Sequence, residues 1–301
     1  MKAVNYILFI SLVAFSLSCK KKDIVVKACN NSFLASKIVP GDSLELISVN
    51  VWGKKATTYP LPSRFFGFNK NENCVYSIRF KDTTGEIHLY RLDLESKKID
   101  TLTAINTPEP FESYIQWGFF YNDVVKKFYL SYFFYYYHSY MFGTREVSIS
   151  GKTFTYDDTH LPANRPLSFL SVNEFNGDVY LDQGATFSPT TNTVRQTPVD
   201  LALSYIIFNP NDTMLYGISF QSSPTKLYKL NPNTGDTTLI TTLPSSFDRI
   251  YCTTFDACNN QFVMQAGDSN PSLYWINVKN GSIAKIAPTK EIYTNLTYIP
   301  E

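Results

Sequence analysis

The strongest constraint on this chain is that it repeats itself. Met214–Ile218 followed by Leu227–Ile240 aligns with Gln261–Gln265 followed by Leu273–Ile286, and with Cys74–Ile78 followed by Leu89–Leu102. In each copy a segment carrying Leu-Tyr ends at an acid or amide: Asp93, Asn231 or Asn277. A turn follows, Asn233-Thr-Gly235 in one copy and Lys279-Asn-Gly281 in another, and then a returning segment. Residues that tolerate positive φ thus stand where a two-strand hairpin needs them. Weaker copies run through Lys127–Tyr132 and Asp178–Asp182. With Tyr76, Tyr129, Tyr180, Tyr216 and Val263 as equivalent positions, the mean spacing is about 47 residues.

Long amphipathic helical patterns are missing. Short runs of Tyr, Phe, Val, Ile, Leu and Thr are separated by Asn, Asp, Gly and Pro clusters, the pattern of many short strands. A spacing of about 40–50 residues suits the four-strand blades of a β-propeller. The units fall at 64–110, 111–162, 163–201, 202–245 and 246–288. Ahead of them Phe33–Val39, Leu44–Val51 and Ala56–Leu61 supply three strands, and behind them Glu291–Ile299 supplies one. Three and one complete a further blade, which resembles the "velcro" closure of β-propellers and leaves no open sheet edge. The expected fold is all-β, a propeller of six four-stranded blades over 32–301. Seven blades or paired β-sandwiches are the competing arrangements.

Composition agrees with that expectation. Blades packed face to face bury both sides of their middle strands, which then lose clean alternation and fill with large residues. An aromatic content of 16% follows without any ligand. The formal charge of +1 excludes a nucleic-acid binder, which needs a basic surface to neutralise phosphates.

The first nineteen residues read as an export signal: Lys2, an apolar run over Tyr6–Phe15, then Leu17-Ser18-Cys19. The run is shorter than the roughly 20 residues of a membrane span. Leu17-Ser18-Cys19 resembles the lipobox of bacterial lipoproteins, although Ser16 stands where that family usually has Leu. Lys20-Lys21-Lys22-Asp23 resembles the charged start of lipoproteins of the Bacteroidetes group. The resemblance implies a leader over 1–18, a tether over 19–31 lipidated at Cys19, and a monomer held by its lipid on a bacterial envelope membrane, the outer one. Four cysteines remain, and the expectation for them is buried free thiols. A Cys252–Cys258 bridge is disfavoured because the intervening residues read as extended strand, while Cys29–Cys74 stays open.

Catalytic motifs are few. The Walker pattern, HExxH, the G-x-S-x-G elbow, the EF-hand loop and a paired CxxC are all missing. His88, His138 and His160 lack metal-ligand spacing. Asn209-Pro-Asn-Asp212 and Asn231–Asp236 read as β-turns and not as Ca²⁺ loops, because no bidentate Glu follows.

Two constellations remain. The loops that lead into the innermost strand of each blade would gather around the central channel, and each carries a charge: Arg64, Glu112, Arg165, Asp200, Asp248 and Glu291. Solvated loop ends and mutual salt bridges account for such charges, as does a polar ring that binds a small polar ligand or Ca²⁺ or another divalent cation. The second is Tyr135, Tyr136, Tyr137 and His138, a hairpin tip suited to stacking on a glycan or an envelope protein. The leading reading is a non-catalytic binding or scaffold module for a polar ligand, glycan or partner protein. The alternative is a divalent-metal-dependent hydrolase or lyase using Glu112, Asp200, Asp248 and Glu291. The loose resemblance to metal-dependent lactonases and gluconolactonases matches no motif residue by residue.

Overall fold

The computed structural model describes residues 32–39, 43–50, 55–61, 66–80, 87–104, 114–136, 139–159, 169–181, 184–196, 202–221, 223–247, 249–267, 270–289 and 291–299. Cys19, Cys29, Arg64, Glu112, Tyr137, His138, Arg165, Asp200 and Asp248 lie outside them.

The repeat folds as consecutive antiparallel meanders. The first comprises β4 (Phe66–Asn69), β5 (Cys74–Phe80), β6 (Ile87–Asp93) and β7 (Ile99–Ala104). The second comprises β8 (Tyr114–Asn122), β9 (Lys127–Tyr136), β10 (Ser139–Ser150) and β11 (Thr153–Thr159). β12 (Phe169–Val172), β13 (Val179–Leu181), β14 (Ala185–Ser188) and β15 (Thr193–Gln196) form the third. β16 (Ser204–Asn209), β17 (Met214–Ser219), β18 (Lys226–Leu230) and β19 (Thr237–Thr242) form the fourth. The fifth is β20 (Ile250–Asp256), β21 (Gln261–Ala266), β22 (Ser272–Asn277) and β23 (Ile283–Pro288). The five equivalent positions, Tyr76 through Val263, all lie buried on the second strand of their meander.

The last sheet joins the two ends of the fold. β1 (Ser32–Val39), β2 (Ser43–Asn50) and β3 (Lys55–Leu61) are completed by β24 (Asn295–Ile299), in the order β24-β1-β2-β3. Leu34 pairs with Thr297 and Ala35 with Leu296.

Apolar clusters between neighbouring meanders close the ring. Tyr76 of the first packs with Phe128 of the second, Tyr129 of the second with Phe187 of the third, and Tyr180 of the third with Phe208 of the fourth. Tyr216 of the fourth meets Phe255 of the fifth, and Val263 of the fifth meets Phe33 of the terminal sheet. Leu46 and Tyr59 of the terminal sheet then pack with Phe66 and Val75 of the first meander. Each meander therefore shares a core with both neighbours, the arrangement of a β-propeller. Its middle strands are buried on both faces (β13, β17 and β21 almost throughout), whereas the outer strands β15 and β19 are mostly exposed.

Two expectations need correction. The six meanders do not make six separate sheets. β7 and β11 pair in parallel at Thr103↔Thr153 and Ala104↔Phe154, fusing the first two meanders into one eight-stranded sheet, so the described residues form five hydrogen-bonded sheets. The cause is local: the outer edges meet where Thr103 N–H donates to Lys152 O at 2.9 Å. Cysteine chemistry also differs. Cys74 and Cys252 are buried free thiols, which leaves no Cys29–Cys74 bridge, but Cys258 is disulfide-bonded. Cys258 sits in the exposed β20–β21 turn, where no burial protects a thiol.

Candidate functional site

The innermost strands β4, β8, β12, β16, β20 and β24 surround a cavity of about 720 Å³. Phe68, Tyr121, Val172, Ile207, Thr253 and Thr297 represent the six strands in its wall. Below, "base" denotes the end of the ring at which these strands finish.

A single side-chain device ends five of the inner strands. Asn69 Oδ1 accepts from the N–H groups of Asn71 (3.1 Å) and Glu72 (3.3 Å). Asn122 Oδ1 accepts from Val124 (3.2 Å), Asn173 Oδ1 from Phe175 (2.9 Å), and Asn209 Oδ1 from Asn211 (2.9 Å). Asp256 Oδ1 accepts from Asn259 N–H at 3.0 Å. A short amide or carboxylate that folds back on its own turn in this way replaces the ladder bonds lost at the strand end. Four residues further on, Asn73, Lys126, Gly177, Thr213 and Asn260 all have positive φ, which sends the chain back as the second strand. Each such bond contributes about 1 kcal/mol.

These turns form the base rim of the cavity and are linked to one another. Asn122 Nδ2 donates to Gly177 O at 2.7 Å, and Asn209 Nδ2 to Asn260 Oδ1 at 3.0 Å. Asn71 Nδ2 donates to Asp123 Oδ1, and Asn211 Nδ2 to Ala257 O. Lys70 reaches Glu174 across the rim at 2.6 Å, while Lys126 offsets Asp123 at 3.0 Å. These four charges are thus paired on the rim, while the buried Asp256 carboxylate is held by the Asn259 N–H and Nδ2 groups. Exposed ion pairs of this kind contribute about 0–1 kcal/mol and open readily.

Two strand irregularities lie along the cavity wall. The β16–β17 register shifts between Ser204 and Ile207, and the β20–β21 register between Ile250 and Cys252. Tyr205 and Tyr251 occupy these two bulges, and both line the cavity. Bulges turn a side chain out of the normal alternation and are common beside binding sites. Tyr205 has φ 53°, a costly conformation for a bulky residue. Its hydroxyl donates to Ile250 O at 2.6 Å, tying β16 to β20, and its oxygen lone pairs remain available as acceptors. Burial raises the Tyr205 phenol, and burial followed by the Asp123 charge pushes Tyr121 up to about 12. Both are neutral near pH 7. Cys252 also lines the cavity, but burial pushes its thiol up to about 12, so it is not a nucleophile there.

Glu291 is the one charge of the expected channel-mouth ring within the described residues. It binds Lys37 at 2.7 Å, and Lys37 also binds Glu45 at 2.6 Å. The hydrogen bonds that the Lys37 ammonium donates to Glu291, and then to Glu45, hold it above its usual range. Tyr135 and Tyr136 are the final residues of β9, opposite Tyr140 and Ser139, at the end of the ring away from the base. His88 lies on β6 with its ring stacked near Tyr90, 6.2 Å between centroids. Asn209 and Asn231 anchor turns, as expected of those segments, Asn231 Oδ1 accepting from Asn233 N–H at 2.9 Å. Among the described residues no group of three His, Cys, Asp or Glu side chains stands together to hold a metal ion.

No protein-family model matches the chain, and no curated protein does. Solved structures do resemble it. TolB from Acinetobacter baumannii superposes with a TM-score of 0.63 over 90% of this chain and 67% of its own, at 10% identity. A putative TolB from Agrobacterium tumefaciens gives 0.53 over 88% and 91%, at 8% identity. An oligogalacturonate lyase from Vibrio parahaemolyticus gives 0.55 over 85% and 80%, at 13% identity. At these identities the likeness shows the shared propeller fold.

Proposed function

We propose that this protein is a lipid-anchored propeller of the bacterial envelope that binds a neutral polar ligand, an oligosaccharide above all, in its central cavity without transforming it. The observation that carries this reading is the cavity wall, to which Tyr121, Tyr205 and Tyr251 contribute together with Ser171, Thr253 and Thr297. Sugar rings present apolar C–H faces and hydroxyl edges, which such a wall complements. The paired charges of the rim favour a ligand without net charge. An envelope address accords with the disulfide at Cys258, since such bonds persist in oxidising compartments. The Cys19 anchor and the Tyr135–His138 tip as a partner surface belong to the same reading. In the metal-dependent alternative Glu291 is a poor ligand, because its carboxylate is already engaged by Lys37.

The test is calorimetric titration of the full chain with a panel of neutral and acidic oligosaccharides. We expect a neutral member to bind and the Tyr251→Ala variant to bind it at least about tenfold more weakly, the loss of one stacked ring. No binding across the panel, or equal binding by the variant, contradicts the proposal.

A further inference from the structure

The innermost strands stand at the edges of their sheets, so no backbone ladder joins β12 to β16, β16 to β20 or β20 to β24. Side-chain hydroxyls bridge these gaps. Ser171 Oγ of β12 accepts from Phe208 N–H of β16 at 2.8 Å, and Thr254 Oγ1 of β20 accepts from Tyr298 N–H of β24 at 3.2 Å. Between β16 and β20 the sense is reversed, because Tyr205 O–H donates to Ile250 O at 2.6 Å. The backbone partner dictates each direction: an amide N–H only donates and a carbonyl oxygen only accepts. Ser171, Thr254 and Tyr205 all line the cavity.

What each hydroxyl has left follows from that. A hydroxyl carries one proton to donate and two lone pairs. Ser171 and Thr254 have each spent a lone pair and kept the proton, for which no acceptor stands among the described residues. Tyr205 has spent its proton and kept lone pairs. It is also held in place: a bulky residue at φ 53° persists only where its surroundings over-determine it, and the bond to Ile250 supplies such a tie.

We infer that this wall selects its ligand by the sense of its hydrogen bonds: Tyr205 takes only a donor, while Ser171 and Thr254 offer protons to an oxygen acceptor. The inference rests on the neutral oligosaccharide proposed above and narrows it. The bound sugar keeps a free hydroxyl against Tyr205, and a group that cannot donate is refused at that position. Such a group leaves the phenol oxygen unpaired in the occupied site. A site built around a hydrogen bond discriminates strongly against an analogue that lacks it.

The experiment has two arms. Neutron diffraction from crystals of the full chain exchanged into deuterium oxide locates the hydroxyl deuterons without any ligand. The Tyr205 deuteron should lie on the line to Ile250 O, and those of Ser171 and Thr254 should point into the cavity. A Tyr205 deuteron turned to the cavity, or a Ser171 or Thr254 deuteron resting on a protein acceptor, overturns the assignment. The second arm titrates the tightest neutral oligosaccharide of the panel and each of its singly deoxyfluoro derivatives. Fluorine is close in size to a hydroxyl but cannot donate. In the parent protein one derivative should bind at least about tenfold more weakly than the sugar itself. In Tyr205→Phe the same derivative and the sugar should bind within about twofold of each other. Each comparison is made within one protein, so a general loss of stability in the variant cancels. Derivatives that all match the sugar in the parent, or a discrimination that survives in Tyr205→Phe, overturn the inference. The arms fail separately. Deuterons as expected with no sugar bound sink the oligosaccharide reading and leave the polarity of the wall; a bound sugar with deuterons elsewhere does the reverse.

Discussion

Replacing Gln265 with Ala should cost about 3–5 kcal/mol, enough to remove much of the stability of a domain this size. Gln265 is fully buried on β21 and holds the approach to the last strand through three bonds. Its Nε2 donates to Thr289 Oγ1 at 2.6 Å and to Glu291 O at 2.7 Å, and its Oε1 accepts from Tyr293 N–H at 2.7 Å. Truncation leaves a backbone donor and a backbone acceptor without partners, as well as a void. Each orphaned group costs about 1–3 kcal/mol, more than the bonds themselves contribute. The Gln265→Glu variant separates geometry from polarity. It keeps the acceptor for Tyr293 but points a carboxylate oxygen at Glu291 O and at Thr289, whose hydroxyl already donates to Pro271 O at 2.9 Å. We expect it to be destabilised at pH 7 and to recover part of the loss as acid protonates the carboxyl. Urea unfolding at pH 5 and pH 7 measures both effects, and a Gln265→Ala loss below about 1 kcal/mol would refute this account of the segment.

The second large effect is at Gly67. A Cβ built there lies 2.9 Å from the backbone nitrogen of Tyr121 and 3.1 Å from the carbonyl carbon of Phe120. Those atoms belong to β8 and cannot swing aside as a side-chain end does. Gly67→Val must push β4 away from β8, opening the ring at the wall of the cavity. Such overpacking costs about 1–3 kcal/mol, and the upper end applies where backbone is met. Gly151→Ala is the matched control: its φ of 61° disfavours a side chain, but nothing lies within 4 Å of the new methyl. We expect the control to lose about 1 kcal/mol, the cost of the left-handed backbone alone. Ligand binding should weaken in Gly67→Val and stay unchanged in Gly151→Ala. Equal losses of stability in the two variants would remove the close approach of β4 and β8 as the cause.

Much of the fold was legible because propeller blades repeat a local pattern. The Leu-Tyr pairs at Leu89, Leu227 and Leu273 all mark third strands, and the spacing of Tyr76 through Val263 marks second strands. One further signal in the sequence is polar. Exactly seven residues before each of those five positions stands Asn69, Asn122, Asn173, Asn209 or Asp256, the residue that ends the inner strand. Apolar periodicity does not register them, because these positions are polar, buried in four cases and half-buried at Asn173, and held in place by their own turns. The candidate site was harder to read. Its wall includes aromatics whose periodicity also suits a core: Tyr121 packs on Phe128, and Tyr205 and Tyr251 stand at bulges. A bulge depends on the partner strand, which local sequence does not specify. The fusion of β7 with β11 likewise depends on two outer edges meeting in space.

The central claim is that the last strand of the chain pairs with the first and so closes the wall around one cavity. Amide-to-amide nuclear Overhauser contacts in the perdeuterated protein test it directly. The account predicts cross-strand contacts between β1 and β24 in the register Ser32↔Ile299 through Ser36↔Asn295, together with slow amide exchange in both strands. Contacts of β24 with any other strand, or fast exchange along β1 with no partner, would contradict it.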